Sequence, residues 1–183
     1  MSTEAAPVSP RRRAADGPAF AVQLIGTLTA LGTAIWVSTH LHPSPTLHGI
    51  ALFAHLSALV FGFGAVLLAD YFVLLWLLGR ADFAETIATI GRLHPPIWLG
   101  LAGLVASGTL LEPNLAATAT RVKLALVLVV AVNGLQATAL GTRMAAAGAT
   151  PGPGLLARGA LTALVSHLCW WGAMGIGFWT TRS

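Results

Sequence analysis

The sequence predicts an all-α, multi-pass membrane helix bundle with five transmembrane helices, a cytoplasmic N-terminus and a C-terminus outside. Hydrophobic residues make up 56% of the 183 residues and charged residues only 9%, against roughly 25% charged residues in typical soluble domains. Five apolar stretches each approach the roughly 20 residues that a helix needs to cross a hydrocarbon core. Lys and Arg are concentrated in alternate connections, as in the cytoplasmic loops of membrane proteins.

The five predicted spans follow one another with short connections and form a single transmembrane domain over residues 19–183. They cover residues 19–39, 50–78, 95–111, 122–140 and 155–179. Residues 1–18 are mainly Ala, Pro, Ser and Arg without an apolar period, so we expect a disordered basic tail. The first span is long and no small-residue cleavage site follows it, so we expect it to remain uncleaved rather than act as a signal peptide.

The distribution of the ten cations predicts the orientation. Seven lie in the tail or in the connections expected on the same side: Arg11, Arg12, Arg13, Arg80, Arg92, Arg143 and Arg158. The other three are Arg121, Lys123 and Arg182. Because cytoplasmic flanks carry the excess of Lys and Arg, the N-terminus is predicted inside. The net charge of +4 then reflects orientation and does not indicate nucleic-acid binding.

The connection between the second and third spans has a pattern of its own. Residues 81–94 alternate apolar and charged positions at helical spacing, which is typical of an interfacial helix or of an extension of the third span. The prolines at 95–96 disfavour helix at His94 and suit the first turn of a new helix. Within the third span, Gly103 and Ser107 lie four residues apart, the spacing of a close-packing seam.

The second and fifth spans carry candidate cofactor residues. His55 and Gly62 lie seven residues apart and share a helix face, so Gly62 leaves space below the imidazole for a flat macrocycle. His167 and Met174 have the same spacing, and both residue types serve as axial haem ligands. These four residues predict a b-type haem or porphyrin site. Helix packing at the glycine and a structural or proton-relay role for His167 are the alternatives.

Two further polar residues lie inside predicted spans. Asp70 is surrounded by apolar residues, and a carboxylate in a span is costly unless it faces a partner. The partners at suitable depth are Asn133, Gln136, Ser166 and His167. Asp70 and Asn133 therefore indicate either a proton-handling site or hydrogen bonds that fix helix packing.

Three histidines lie in or beside the first outer loop. His40, His42 and His48, with His55 nearby in the second span, form a candidate Cu²⁺ or Zn²⁺ site. Their spacing matches no standard zinc motif, and solvated loop histidines are the alternative. Cys169 is the only cysteine, so neither a disulfide framework nor a thiolate metal cluster is expected.

Part of the chain, about residues 47–135, resembles two kinds of small bacterial membrane protein. The shared order is a helix with an inward His and paired glycines, a Gly-rich helix, and a helix that opens with Lys-Leu. The matching residues are His55, Gly62, Gly64 and Arg80; Gly100, Gly103 and Gly108; and Lys123 and Leu124. This order is similar to the haem-binding protoporphyrinogen oxidase type and to the copper-resistance D type. The resemblance implies that His55 is a haem ligand and Lys123 its counterpart.

The resemblance is incomplete. The oxidase type usually has a Trp between the His and the Gly and a Pro-Arg after them, and this sequence has neither. Residues 62–67 and 94–103 also resemble uncharacterised integral membrane proteins of high-GC, actinobacterial-type bacteria. The location implied is the inner or plasma membrane of a bacterial cell. The expected partner is the lipid bilayer, with the chain present as a homo-oligomer or within a larger membrane complex.

Two functional hypotheses follow from the sequence. The first is haem or porphyrin binding in the bundle for redox chemistry. The second is proton or copper transport, or an accessory membrane subunit, using Asp70, Asn133 and the outer histidines. No nucleophile–base arrangement, phosphate loop or dinucleotide motif occurs outside the predicted spans, so an enzyme of the soluble type is not expected. Whether the protein is an enzyme of another kind stays open.

Overall fold

A computed structural model describes residues 10–180, with side chains from Gly17 onward. Within residues 10–180 the regular structure is entirely helical. The helices are α1 (Pro10–Ser38), α2 (Pro45–Leu77), α3 (Phe83–Gly108), α4 (Thr118–Ala146) and α5 (Pro153–Thr180), and a 3₁₀ turn, Thr109–Leu111, extends α3. Four of them, α1, α2, α4 and α5, are long and apolar enough to cross a membrane. The predicted all-α class is confirmed for the described residues, and these four helices are compatible with the predicted membrane bundle.

The observed helices extend beyond the predicted spans by a few residues at several ends, and they differ more markedly in two places. α1 begins at Pro10, so residues 10–18 are helical where a disordered tail is predicted; residues 1–9 lie outside the described residues. α3 begins at Phe83 and continues through Pro95 and Pro96, so the expected new helix start after His94 is wrong and the alternative, an extension of the third span, is observed. Each proline removes one helical hydrogen bond, but packing against α2 supports α3 on both sides of this point.

The ends of α2 follow from local sequence. Ser44 precedes the helix and its side chain accepts a hydrogen bond from the backbone N–H of Leu47, while Pro45 occupies the first turn. At the other end, Gly79 has φ +68°, and the backbone N–H of Arg80 donates to the carbonyl of Leu75. This is a Schellman motif, which satisfies the last carbonyls of the helix and lets the chain turn into α3.

Two antiparallel hairpins form the bundle. α2 packs mainly on α3, α4 packs mainly on α5, and contacts between α3 and α4 join the two pairs. Seven buried residues from these four helices form the core: Phe63, Val66, Leu101, Val130, Ala131, Cys169 and Trp170. α1 lies outside this core against α3 and α4, and no residue of its most apolar stretch is buried.

The closest helix approach is between α2 and α3. A Cβ atom built on Gly100 would lie 2.3 Å from Gly62 Cα, and one on Gly103 would lie 2.9 Å from the Cβ of Ala58. Only glycine therefore fits at Gly100. The predicted close packing is observed at Gly103, which meets Ala58, and it extends to Gly100, which meets Gly62.

The two ends of the bundle differ in charge. At one end of the bundle, the chain leaves α2 and α4 and enters α3 and α5. This end carries Arg80, Arg143 and Arg158, and we call it the basic end. At the opposite end the loop between α1 and α2 meets the segment after the 3₁₀ turn, where His42 lies near Glu112.

Candidate functional site

A carboxylate and an imidazole meet between α2 and α5. The Oδ2 atom of Asp70 lies 2.8 Å from Nε2 of His167. Oδ2 is shielded from the surroundings, and the contact is a charge pairing whose angles are poor for a hydrogen bond. Both residues belong to helices that are apolar enough to cross a membrane. His167 is one of the four partners that the sequence allows for Asp70, and the structure selects it.

The contact of the other imidazole nitrogen of His167 indicates how many protons the pair carries. Nδ1 of His167 lies 2.9 Å from the carbonyl oxygen of Ala163. A carbonyl only accepts hydrogen bonds, so Nδ1 carries a hydrogen. At 2.8 Å, Nε2 and Oδ2 attract each other only if one of the two groups carries a further proton, either the carboxyl group or the ring. In both arrangements the pair as a whole is neutral, which is the state that an apolar medium favours.

Three aromatic rings lie farther from the basic end than the pair does. Phe63 of α2 stacks on Trp170 of α5 with ring centroids 5.6 Å apart, and it meets Trp171 edge-on at 5.0 Å. Trp170 is only 4% exposed. These three rings form an aromatic layer, which lies along α2 and α5 between the level of Asp70 and His167 and the opposite end.

Beyond the aromatic layer lies a second polar group, which we call the histidine–lysine cluster (His55, Ser107 and Lys123). Nδ1 of His55 lies 3.0 Å from Oγ of Ser107, and that hydroxyl donates to the carbonyl of Gly103 at 2.6 Å. Nδ1–H therefore donates to Ser107, and in the neutral ring Nε2 carries the lone pair. Lys123 lies close enough to His55 for an electrostatic interaction, and a Cβ on Gly177 would lie 3.5 Å from its Nζ.

The four predicted haem-site residues do not form one pocket. The space beside Gly62 is filled by Gly100 and by the Trp170 ring. His167 is bonded to Asp70, and Met174 packs against the hydrophobic core. The space beside Gly62 and the free nitrogen of His167 are both occupied by contacts within the protein. These residues therefore do not fit a haem in this arrangement.

Asn133 has a clear structural role. Its side chain is 8% exposed, and Nδ2 donates to the carbonyl of Thr162 on α5 at 2.9 Å. This bond ties α4 to α5 in the apolar interior, so the predicted hydrogen bond to a neighbouring helix is confirmed. Asn133 does not contact Asp70 by any bond that the structure shows between residues 17 and 180.

The histidines predicted as a metal site lie apart. Nδ1 of His40 lies 2.8 Å from the carbonyl of Trp36 at the end of α1, while Nδ1 of His42 lies 3.4 Å from a Glu112 oxygen. His48 is already within α2. In the described part of the chain, no three His, Cys, Asp or Glu side chains are grouped so as to hold a metal ion. The predicted metal cluster of His40, His42 and His48 is therefore not supported.

The contact between His42 and Glu112 is expected to contribute little to stability. The His42 side chain is 86% exposed and that of Glu112 47%, and an ion pair at such exposure is typically worth less than about 1 kcal/mol. Glu112→Gln should therefore change the free energy of unfolding in detergent by less than about 1 kcal/mol. A larger loss, measured by denaturant titration, would show that this contact holds the loops together.

The sequence did not identify several partners that the structure shows. Ser107 is read from the sequence as a packing residue, yet it orients His55. Gly100 is the residue that fills the space beside Gly62, and Glu112 faces His42. Comparisons with protein-family models, curated proteins and solved structures found no match. The chemistry of the site itself must therefore support any functional conclusion.

Proposed function

We propose that this chain is a five-span protein of the bacterial plasma membrane that carries protons across the bilayer, with Asp70 and His167 as the proton-binding pair. The observation that carries the proposal is the 2.8 Å contact between Oδ2 and Nε2 inside two apolar helices. An ionisable pair at such a position is costly and typically functional.

In this proposal α3 is the fifth span, which is supported by its pairing with α2. Trp76 meets Phe83 with ring centroids 5.3 Å apart, Gly62 meets Gly100, and His55 meets Ser107. The α2 residues of these contacts run from position 55 to position 76, a rise of about 31 Å along the helix. This is about the thickness of a hydrocarbon core, so α3 accompanies α2 across the membrane.

The proposed orientation places the basic end in the cytoplasm. Arg80, Arg143 and Arg158 flank the apolar helices there, as cytoplasmic loops of membrane proteins require. With five spans the C-terminus then lies outside. Asp70 is about 10 Å from the end of α2 at Leu77, so the pair is nearer to the cytoplasm.

The chemistry of the pair suits reversible proton binding. One proton is shared between a carboxylate oxygen and an imidazole nitrogen, and either group holds it while the pair stays neutral. His55, with a lone pair on Nε2, is the corresponding proton acceptor beyond the aromatic layer. On the proposed route between the two, a proton passes the level of Phe63, Trp170 and Trp171, whose rings contact one another.

Proton flux into liposomes tests the proposal. Purified full-length protein is reconstituted with a pH-sensitive dye inside, and flux is driven by a potassium diffusion potential. Asp70→Asn keeps the shape of the side chain but removes its proton exchange, so we expect flux to fall at least about tenfold. Circular dichroism and gel filtration verify that the variant is folded.

Asp82→Asn is the matched control, because it removes an exposed carboxylate just before α3. It should leave the flux at the wild-type rate. Wild-type liposomes that are no more permeable than empty ones would overturn the proposal. So would a folded Asp70→Asn variant with unchanged flux, which would leave the pair only its packing role.

A further inference from the structure

An open cavity of about 490 Å³ lies at the basic end between α1, α4 and α5. Arg143 and Arg158 line it, together with Gln136, Leu140 and Leu161 and with Phe20 of α1. Its volume falls within the range of about 300–1,000 Å³ that is usual for ligand sites. None of these residues takes part in the proton-binding pair or in the histidine–lysine cluster.

The two arginines give the cavity an unbalanced positive charge. Within the part of the chain whose side chains are described, the ion pairs are His42 with Glu112 and His167 with Asp70. Arg143 and Arg158 therefore have no carboxylate within salt-bridge distance among those residues. Arg143 lies in the last turn of α4 and Arg158 near the start of α5, so two helices each contribute one arginine to the lining of the same cavity.

The wall of the cavity is positively charged at the basic end and apolar farther along the helix axis. Gln136 is seven residues before Arg143, so the cavity extends about 10 Å from the arginines toward the middle of the bundle. Between these depths Leu140, Leu161 and Phe20 provide apolar surface. A ligand that fills the cavity needs a negatively charged head beside the arginines and an apolar part beside the leucines.

We propose that this cavity binds an anionic phospholipid. Guanidinium groups of Arg143 and Arg158 bind the lipid phosphate, for which arginine has matching bidentate geometry. The part of an acyl chain nearest the headgroup lies along Leu140, Leu161 and Phe20. A basic cavity between membrane helices near the headgroup level is a recurrent form of lipid recognition, and the apolar wall favours a lipid over a free phosphate ion.

Electron spin resonance of labelled lipids tests this proposal on the full-length protein. The protein is reconstituted in phosphatidylcholine vesicles with a trace of spin-labelled phosphatidylglycerol or spin-labelled phosphatidylcholine. We expect the immobilised fraction to favour phosphatidylglycerol, with each arginine contributing about fivefold. The double variant Arg143→Gln/Arg158→Gln should lose this preference, and Arg143→Lys/Arg158→Lys should retain part of it.

The control variant is Arg80→Gln/Arg92→Gln, which removes the same charge from positions that do not line the cavity. It should keep the preference for phosphatidylglycerol. An equal loss in both double variants would show only a diffuse field of positive charge and would overturn the proposal. So would displacement of the labelled lipid by millimolar inorganic phosphate at constant ionic strength, because the site would then take a soluble anion.

Discussion

Replacing Gly100 with alanine is expected to destabilise the protein by about 3 kcal/mol or more, which is at the upper end for overpacking a buried site. The new Cβ would lie 2.3 Å from Gly62 Cα and 2.6 Å from its backbone nitrogen. Neither is the end of a flexible side chain, so α2 and α3 would have to separate. Unfolding by sodium dodecyl sulfate in mixed micelles measures the loss.

Gly64→Ala provides the control for this prediction. Gly64 lies on the same helix as Gly62, but a Cβ there would meet nothing within 4 Å. Alanine also has the higher helix propensity, so this variant should be as stable as wild type or slightly more stable. Equal stability of Gly100→Ala and Gly64→Ala would mean that α2 and α3 do not pack through this contact.

The second large effect is expected from His167→Leu, which leaves Asp70 without its partner. An isolated carboxyl group in a membrane helix costs about 3 kcal/mol, and His167 is the only group seen to bond Asp70 within residues 17–180. The variant should therefore lose about that amount of unfolding free energy in the same titration.

The double variant Asp70→Leu/His167→Leu is expected to recover most of this loss. With both polar groups replaced by apolar ones, its unfolding free energy should return to within about 1 kcal/mol of wild type. Losses that simply add would mean that the two side chains do not interact. A double variant that is stable yet passes no protons would separate the function of the pair from its effect on stability.

The helices could be predicted from the sequence because solvation determines them. Only segments whose backbone groups are satisfied internally can remain in lipid, so long apolar stretches identify α1, α2, α4 and α5. The predicted ends differ from the observed ones by a few residues, except at the start of α1, which begins well before the predicted span. α3 is less obvious, since Arg92, His94 and two prolines interrupt its first half. Its continuity depends on contacts with α2, which no local pattern encodes.

The partners of the polar residues could be predicted only in part. Depth along the helices restricts Asp70 to a few candidates, His167 among them. The choice between them depends on how α5 is rotated about its axis, and sequence spacing does not provide that. Once Gly62 and Gly100 are known to meet, antiparallel register places position 107 opposite His55, as observed. The sequence contains other glycines in α3, so it does not identify which of them meets Gly62.

In the proposed five-span arrangement, the tight pairing of α2 and α3 also bears on how a ribosome-bound chain would deliver α3 to the membrane. Glu85, Arg92 and His94 make the first half of α3 a poor substrate for insertion by itself. α2 leaves the ribosome first, and only a short loop containing Gly79 separates it from α3. We expect the two to insert together as a helical hairpin, so that α3 reaches the bilayer already bound to the helix that shields it.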